Sequence, residues 1–394
     1  MPVNLDDIPD IEPNVPRPVT FRWVITFFAI LLVGLGLTLW LWEGERSGLK
    51  FWFTAVALPV LMWGLVFAVR RTGYKLERVG TYARNKEREA LMASETARGQ
   101  RFAWVIGECL VNVIEPDETD TRQAIVNKTA MLEHVITRDG VSSIRHSALP
   151  EQGSPEEIFC SYMEDISGQA REILARLPVS MPCYLAFDGS ANVEALADAL
   201  ISKIHFPLRR IRDLSGFTIL DYWLDRHHDI PAALLVISVQ IYDVPPQDSG
   251  EAIAAMLLSN RRLSDMASPS VRLHRPQIST QGNLLLALNR AMLWAKLDST
   301  APLRGWISGG KLASDEIWSN ACTAMAPKLT VQRNVSIDTA IGYAGVVAPW
   351  QAAILAYRQC LADHEPQIVA IESAPSCHQL CAVTSNIRDC VNQS

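Results

Sequence analysis

The chain has 394 residues, 20% of them charged and 49% hydrophobic, and a formal net charge of −6. That balance excludes a disordered chain, and its acidic sign excludes a globally basic nucleic-acid binder. Eight cysteines (Cys109, Cys160, Cys183, Cys322, Cys360, Cys377, Cys381 and Cys390) form no repeating pair, so in a chain this long they read as reduced cytoplasmic thiols and not as a disulfide framework.

Residues 1–22 form a short tail. Trp23 to Trp42 and Phe51 to Val69 contain no charged residue, and each is about the 20 residues that cross a bilayer as a helix. Only a short loop separates them, so 23–69 is expected to form a transmembrane hairpin. Trp23, Trp40, Trp42 and Trp52 fall at its ends, where indoles prefer the headgroup layer. A cleaved signal peptide fits poorly, because a second apolar stretch follows at once. The loop carries Arg46 and Lys50, whereas Arg70, Arg71, Lys75, Arg78, Arg84, Lys86 and Arg88 follow the second stretch. That excess predicts a multi-pass bacterial inner-membrane protein with both termini cytoplasmic. Residues 70–100 read as a basic helical linker, free in solvent or lying on anionic headgroups.

From 101 onward the pattern is α/β. "RFAWVIGECLVNVI" reads as a strand, "PEEIFCSYMEDISGQAREILARL" as a helix and "MPCYLAFDG" as a buried strand ending in a turn. Two helices follow, in "SANVEALADALISKI" and "SGFTILDYWLDRHHD", and then a fully apolar strand, "PAALLVISVQIYD". "SGEAIAAMLLSNRRL" mixes helix and strand signals. "QGNLLLALNRAMLWAKL" is a helix, "LRGWISGGK" a strand running into glycines, and "SDEIWSNACTAMAP" a helix. A small-residue turn and helix, "SIDTAIGYAGVVAPWQAAILAYRQC", precedes two closing strands, "PQIVAIESA" and "HQLCAVTSN". The alternation predicts a mainly parallel sheet with helices on its faces.

In this order the last part of the chain resembles the C-terminal half of a thiolase-fold condensing enzyme of the β-ketoacyl-synthase type. "AALLVISVQ" and its preceding helix resemble the family's N-terminal half. The resemblance implies a layered αβαβα domain over 101–394, in halves of about 101–275 and 276–394, behind the two-helix hairpin. It also implies where catalytic groups should stand: a nucleophilic cysteine at a helix start, and two histidines that polarise a thioester carbonyl. The nucleophile slot falls near Leu214 or Ser215, one histidine slot on Ser308, the other on Tyr343, and a lysine slot on Asp338. All four slots are substituted, so the residues predict a non-enzyme with no catalytic residue and no cofactor. The resemblance then implies a membrane-anchored adaptor that binds protein partners. Catalytically dead thiolase-like proteins occur beside type VI secretion genes, so an effector or spike protein is the partner it points to. It implies a homodimer through a sheet edge as well.

The alternative is a membrane-tethered acyltransferase or condensing enzyme acting on acyl thioesters. Its displaced residues would be Ser215, Cys322 and His378, brought into one pocket. A third reading is a regulatory subunit that binds acyl carriers without turnover. His227 and His228 are adjacent on a helix and point about 100° apart, which suits a solvated helix end better than a metal. Cys377, His378 and Cys381 lack a fourth ligand and, on a strand, do not share one face, so they too predict no metal.

Overall fold

The computed structural model describes the chain except residues 1, 2, 4, 45, 47, 116–119, 139, 265, 267, 268, 280–282, 298–301, 311, 313–315, 326–328 and 387–394. Cys390 lies outside the described residues; the other cysteines are free thiols. The chain forms two compact units, Asn4–Glu95 and Thr96–Ser394, the second including the first three residues.

The first unit contains α1 (Thr20–Leu41) and most of α2 (Leu49–Gly99), both long and apolar enough to cross a membrane. The two pack antiparallel. Trp23 meets Phe67, Phe27 meets Trp63 and Trp42 meets Phe51, with ring centroids 5.5, 5.0 and 5.7 Å apart, so the partners step down one helix as they step up the other. The Trp63 indole donates to the Trp23 carbonyl at 3.2 Å. At Gly34 a Cβ would lie 2.2 Å from Cγ of Pro59, so only glycine lets the helices touch there. Phe28, Leu32, Val33, Leu61, Met62 and Leu65 point outward. Lipid would cover them without unsatisfied backbone, because a helix bonds its own polar groups.

The stretch expected as a separate basic linker is the continuation of α2, a single helix through to Gly99. Its long unbranched residues outweigh Gly73 and Gly80, which cost about 1 kcal/mol each relative to alanine. The N-terminal tail returns along it. The Glu12 backbone N–H donates to Asn85 Oδ1 and Asn85 Nδ2 to the Glu12 carbonyl, both at 3.0 Å. Arg84 pairs with the Glu12 carboxylate at 2.7 Å, and Arg88 donates to the Pro9 carbonyl at 2.6 Å.

The second unit is layered. Its first half holds β1 (Phe102–Val111), α3 (Pro155–Leu174), β2 (Cys183–Gly189), α4 (Ala197–Ile204), β3 (Leu208–Ile211), α5 (Thr218–Arg226), β4 (Ala233–Gln240) and β5 (Ala252–Ser259). Its second half holds β6 (Val271–His274), α6 (Leu284–Trp294), β7 (Leu303–Ser308), α7 (Glu316–Met325), β8 (Leu329–Ser336), α8 (Asp338–Ile341), α9 (Ala348–Asp363), β9 (Gln367–Ala374) and β10 (Cys377–Ser385). The strand orders are β3-β2-β4-β5-β1 and β8-β7-β9-β10-β6. Each half therefore places its third, second, fourth, fifth and first strands side by side. In each, the first three of that order are parallel and the fifth strand runs antiparallel. The halves join where β1 meets β6, Phe102 opposite His274.

Each layer follows from its sequence. Ser154 and Glu157 form a capping box at the start of α3, with Pro155 in the first turn. β4 is buried along its whole length because helices cover both of its faces. α9 is apolar or small nearly all round; Ala352, Ala353, Ala356 and Leu355 are fully buried, since both half-sheets close on it. α5 and α9 share a central core with Trp223, Leu234, Trp306 and Trp350. α3 and α4 cover the outer face of the first half-sheet with Phe159, Ile166 and Leu200. α6 and α7 cover that of the second with Leu288, Trp318 and Cys322. The result is an αβαβα sandwich of two halves with one topology.

Two expectations are corrected in detail. The sheet is mixed, because β5 and β10 return antiparallel beside β4 and β9. "SGEAIAAMLLSNRRL", whose helix and strand signals are mixed, is strand over Ala252–Ser259. The helix after the small-residue turn begins at Ala348, behind a 3-10 turn over Gly345–Val347.

Candidate functional site

Open α/β sheets place their ligands at the carboxyl ends of parallel strands. Polar groups from both halves gather there. In the first half, the next-to-last residue of β2 is Asp188, whose Oδ2 accepts the Gly216 N–H at 2.7 Å. Gly216 has φ +52°, and a Cβ there would lie 3.0 Å from Gln379 Oε1, so this sharp turn into α5 needs glycine. The next N–H, of Phe217, donates to Gln379 Oε1 at 3.0 Å, and Gln379 Nε2 donates to Ser373 Oγ at 3.3 Å. Gln379, on β10, thereby ties the two halves together at this end. Burial pushes the Asp188 carboxyl up to about 6, against the pull of the Gly216 N–H.

In the second half, β7 ends at Ser308, whose Oγ donates to Asp338 Oδ1 at 2.5 Å. The Gly309 N–H donates to Asp338 Oδ2 at 2.7 Å. Burial raises the Asp338 carboxyl to about 6 in spite of both donors. Tyr343 stands close enough for Asp338 and Glu372 to act on its phenol, which burial first, and then those two charges, push up to about 12. The phenol is therefore a neutral donor at cellular pH. The turn that carries it is clasped by backbone: Tyr343 N–H donates to the Asp248 carbonyl at 2.9 Å, and Gly250 N–H donates to the Tyr343 carbonyl at 3.0 Å. Gly342 has φ +73°, and a Cβ there would lie 2.1 Å from the Ser249 carbonyl oxygen. The glycine makes that contact feasible.

Ser308, Asp338 and Tyr343 are thus brought together, and Ser215 lies on the α5 turn that Asp188 holds. The Ser215 hydroxyl is exposed and has no hydrogen-bond partner among the described residues. Cys322 does not join them, and His378 is the cross-strand neighbour of Glu372, whose carboxylate acts on it as on Tyr343. Cys322 sits in the outer core of the second half, receives Asn334 Nδ2 at 3.2 Å, and has its thiol raised by burial. His378 precedes Gln379 on β10 and so faces the opposite side, with Leu380 of the outer core. Three strand spacings, about 14 Å, separate its strand from the one beside Cys322. The trio Ser215, Cys322 and His378 therefore does not form one pocket. His227 stacks on Tyr184 with centroids 3.9 Å apart. Among the described residues no three His, Cys, Asp or Glu side chains approach as a metal cluster. Sequence reasoning missed Asp188, Gln379 and Glu372. The one available signal was an acidic residue closing a buried strand in "AFDG".

No family model and no curated protein matches the sequence. Solved structures match the α/β unit. The ishigamide ketosynthase/chain length factor is 12% identical, with TM-score 0.48, over 72% of this chain and 99% of its own. The peroxisomal 3-ketoacyl-CoA thiolase of Saccharomyces cerevisiae is 8% identical, with TM-score 0.47, over 73% and 98%. A 3-oxoacyl-(acyl carrier protein) synthase III of Pseudomonas aeruginosa is 14% identical, with TM-score 0.42, over 72% and 98%. At these identities and TM-scores the likeness concerns the fold alone. The expectation of a non-enzyme finds no support among these neighbours, which are themselves named as a ketosynthase, a thiolase, a synthase and an acyltransferase.

Proposed function

We propose that this chain is a membrane-anchored acyl-transfer enzyme that acts on acyl thioesters without a covalent acyl-enzyme, Asp338 serving as general base. The observation that carries the reading is the Asp338 carboxyl, held by Ser308 and Gly309 at a strand end with its pKa near the operating pH, where a base works best. Asp338 takes the proton of an acceptor hydroxyl or amine as that group attacks the thioester carbonyl. Tyr343 donates to the carbonyl oxygen as negative charge develops on it. The carbon–sulfur bond breaks, and the leaving thiolate recovers the proton from Asp338.

The test is to place the full chain in lipid nanodiscs with acyl-coenzyme A of increasing chain length and to follow thiol release. Release that depends on an added alcohol or amine, with no stoichiometric acyl adduct on Ser215 or Cys322 by mass spectrometry, is expected. A stoichiometric adduct would overturn the direct-transfer mechanism, and no release from any thioester would sink the acyl-transfer reading.

We also propose that α1 and α2 cross the inner membrane with both termini cytoplasmic. The basic flank after Val69 and the tail hydrogen-bonded along it support this. A cysteine at Gly48 should be labelled by an impermeant maleimide from outside, and a reporter fused at Ser394 should be active only in the cytoplasm. Labelling only after lysis would reverse the orientation.

A further inference from the structure

At the other end of the half-sheets, where β1, the end of α3, the segment before β6 and the last turns of α9 meet, lies a cavity of about 590 Å³. Its distance from the Asp338 site is read along α9: Tyr357 stands nine residues past Ala348, about 14 Å along the axis at 1.5 Å per residue. Val105, Leu263, Met266 and Leu361 give it apolar walls. Three polar groups interrupt them. Arg176 donates to the Ile106 carbonyl at 3.2 Å and pairs with no carboxylate among the described residues. Ser270 is 3% exposed, and its Oγ has no hydrogen-bond partner. The Tyr357 phenol is raised by burial and then by Glu108, whose carboxylate Arg358 holds, with Arg176 opposing, and it makes no hydrogen bond among the described residues. A pocket of this size, lined by polar and apolar surface in about equal measure, has room for a small molecule with an apolar chain and a polar head. Its polar groups are a cation and two hydroxyls, which complement an anion that accepts hydrogen bonds.

We propose that this cavity binds a fatty carboxylate, its head on Arg176 and Tyr357 and its chain among Val105, Leu263, Met266 and Leu361. The chain is the part that the apolar walls take from water. The carboxylate neutralises an arginine that is otherwise without an anionic partner. The site is independent of Asp338 and of the reading built on it.

The probe is a diazirine analogue of dodecanoic acid, irradiated with the full chain in nanodiscs and mapped by peptide mass spectrometry. Crosslinks should fall on the peptides containing Leu263–Val271 and Tyr357–Leu361, and should be chased by dodecanoate but not by dodecanol. Arg176 is exposed, so Arg176→Ala should fold normally and lower labelling about tenfold, as expected for loss of a charge-assisted hydrogen bond. Arg176→Lys should restore part of it, and Leu361→Trp, which fills the cavity, should abolish it at unchanged circular dichroism. Labelling confined to α1 and α2, equal chase by dodecanol, or indifference to Arg176→Ala would each overturn the proposal.

Discussion

Replacing Arg275 by alanine is expected to lower the unfolding free energy by about 3–5 kcal/mol, the usual effect of removing one partner from a buried ion pair. Arg275 is 1% exposed. Its Nε donates to Asp221 Oδ1 at 2.6 Å, and its Nη1 and Nη2 donate to the two Asp225 oxygens at 2.7 and 2.9 Å. Arg98 and Arg101 meet the same Asp225 carboxylate. Burial by itself would raise Asp225, but the hydrogen bonds from Arg275 and Arg98 outweigh it and hold this carboxyl well below the usual range. Asp221 is raised by burial, with Arg275 opposing. Without Arg275, Asp221 is a buried carboxylate that has lost the cation hydrogen-bonded to it among the described residues. Because Asp225 is depressed in the folded state, its contribution is present above the ordinary carboxylate pKa near 4 and is lost as pH falls below it. Denaturant unfolding of Arg275→Ala, followed by tryptophan fluorescence, measures the loss. The double variant that adds Asp221→Asn should recover part of it, since Asp225 keeps Arg98 and Arg101 while Asp221 no longer carries a charge. A loss under 1 kcal/mol in the single variant would show that the cluster does not hold this region together.

The contrast between what could and could not be read in the chain has a physical cause. The spans, β4 and α9 announce themselves because burial on all sides demands continuous apolar sequence. β8 (Leu329–Ser336) and β3 (Leu208–Ile211) are sheet edges, and edges tolerate the Arg333, Arg209 and Arg210 that hide them from an apolar pattern. The site divides in the same way. Ser308, Asp338 and Tyr343 stand beside conspicuous glycine turns, so a family pattern could locate them. Asp188 and Gln379 act through hydrogen bonds to the Gly216 turn across long sequence separations, which no local spacing encodes. Nor does residue type give the state of Asp338. The aspartate in the lysine slot is raised to about 6 by a burial that only the folded chain creates.

Asp338→Asn should reduce acyl transfer by about 10²–10⁴-fold, the range for losing a general base. The replacement keeps the side-chain shape. Its amide oxygen can still accept the Gly309 N–H, and the Ser308 hydroxyl can turn to accept from the amide nitrogen, so the strand end should stay folded. In the unmodified protein activity should climb as pH rises through about 6, where the carboxyl ionises, and the residual activity of Asp338→Asn should lack that step. Stability should move in the opposite sense. The folded-state pKa of Asp338 lies above its unfolded value, so its contribution is fully present below about pH 4 and is lost as pH rises through about 6. At pH 7 the protein therefore carries a buried carboxylate that costs up to about 3 kcal/mol, from roughly two units at 1.36 kcal/mol each. Asparagine carries no charge, so Asp338→Asn should melt higher than the unmodified protein at pH 7 and nearly level with it at pH 4. A variant that loses activity and gains stability separates the base from the scaffold: a purely architectural Asp338 would yield lower stability or unchanged turnover. Tyr343→Phe supplies the second arm. Losing one donor to a developing oxyanion costs about 10²–10³-fold. That loss should appear without the pH step disappearing, because the phenol stays neutral across this range. Full activity in both variants would mean that the acyl chemistry is done elsewhere in the chain.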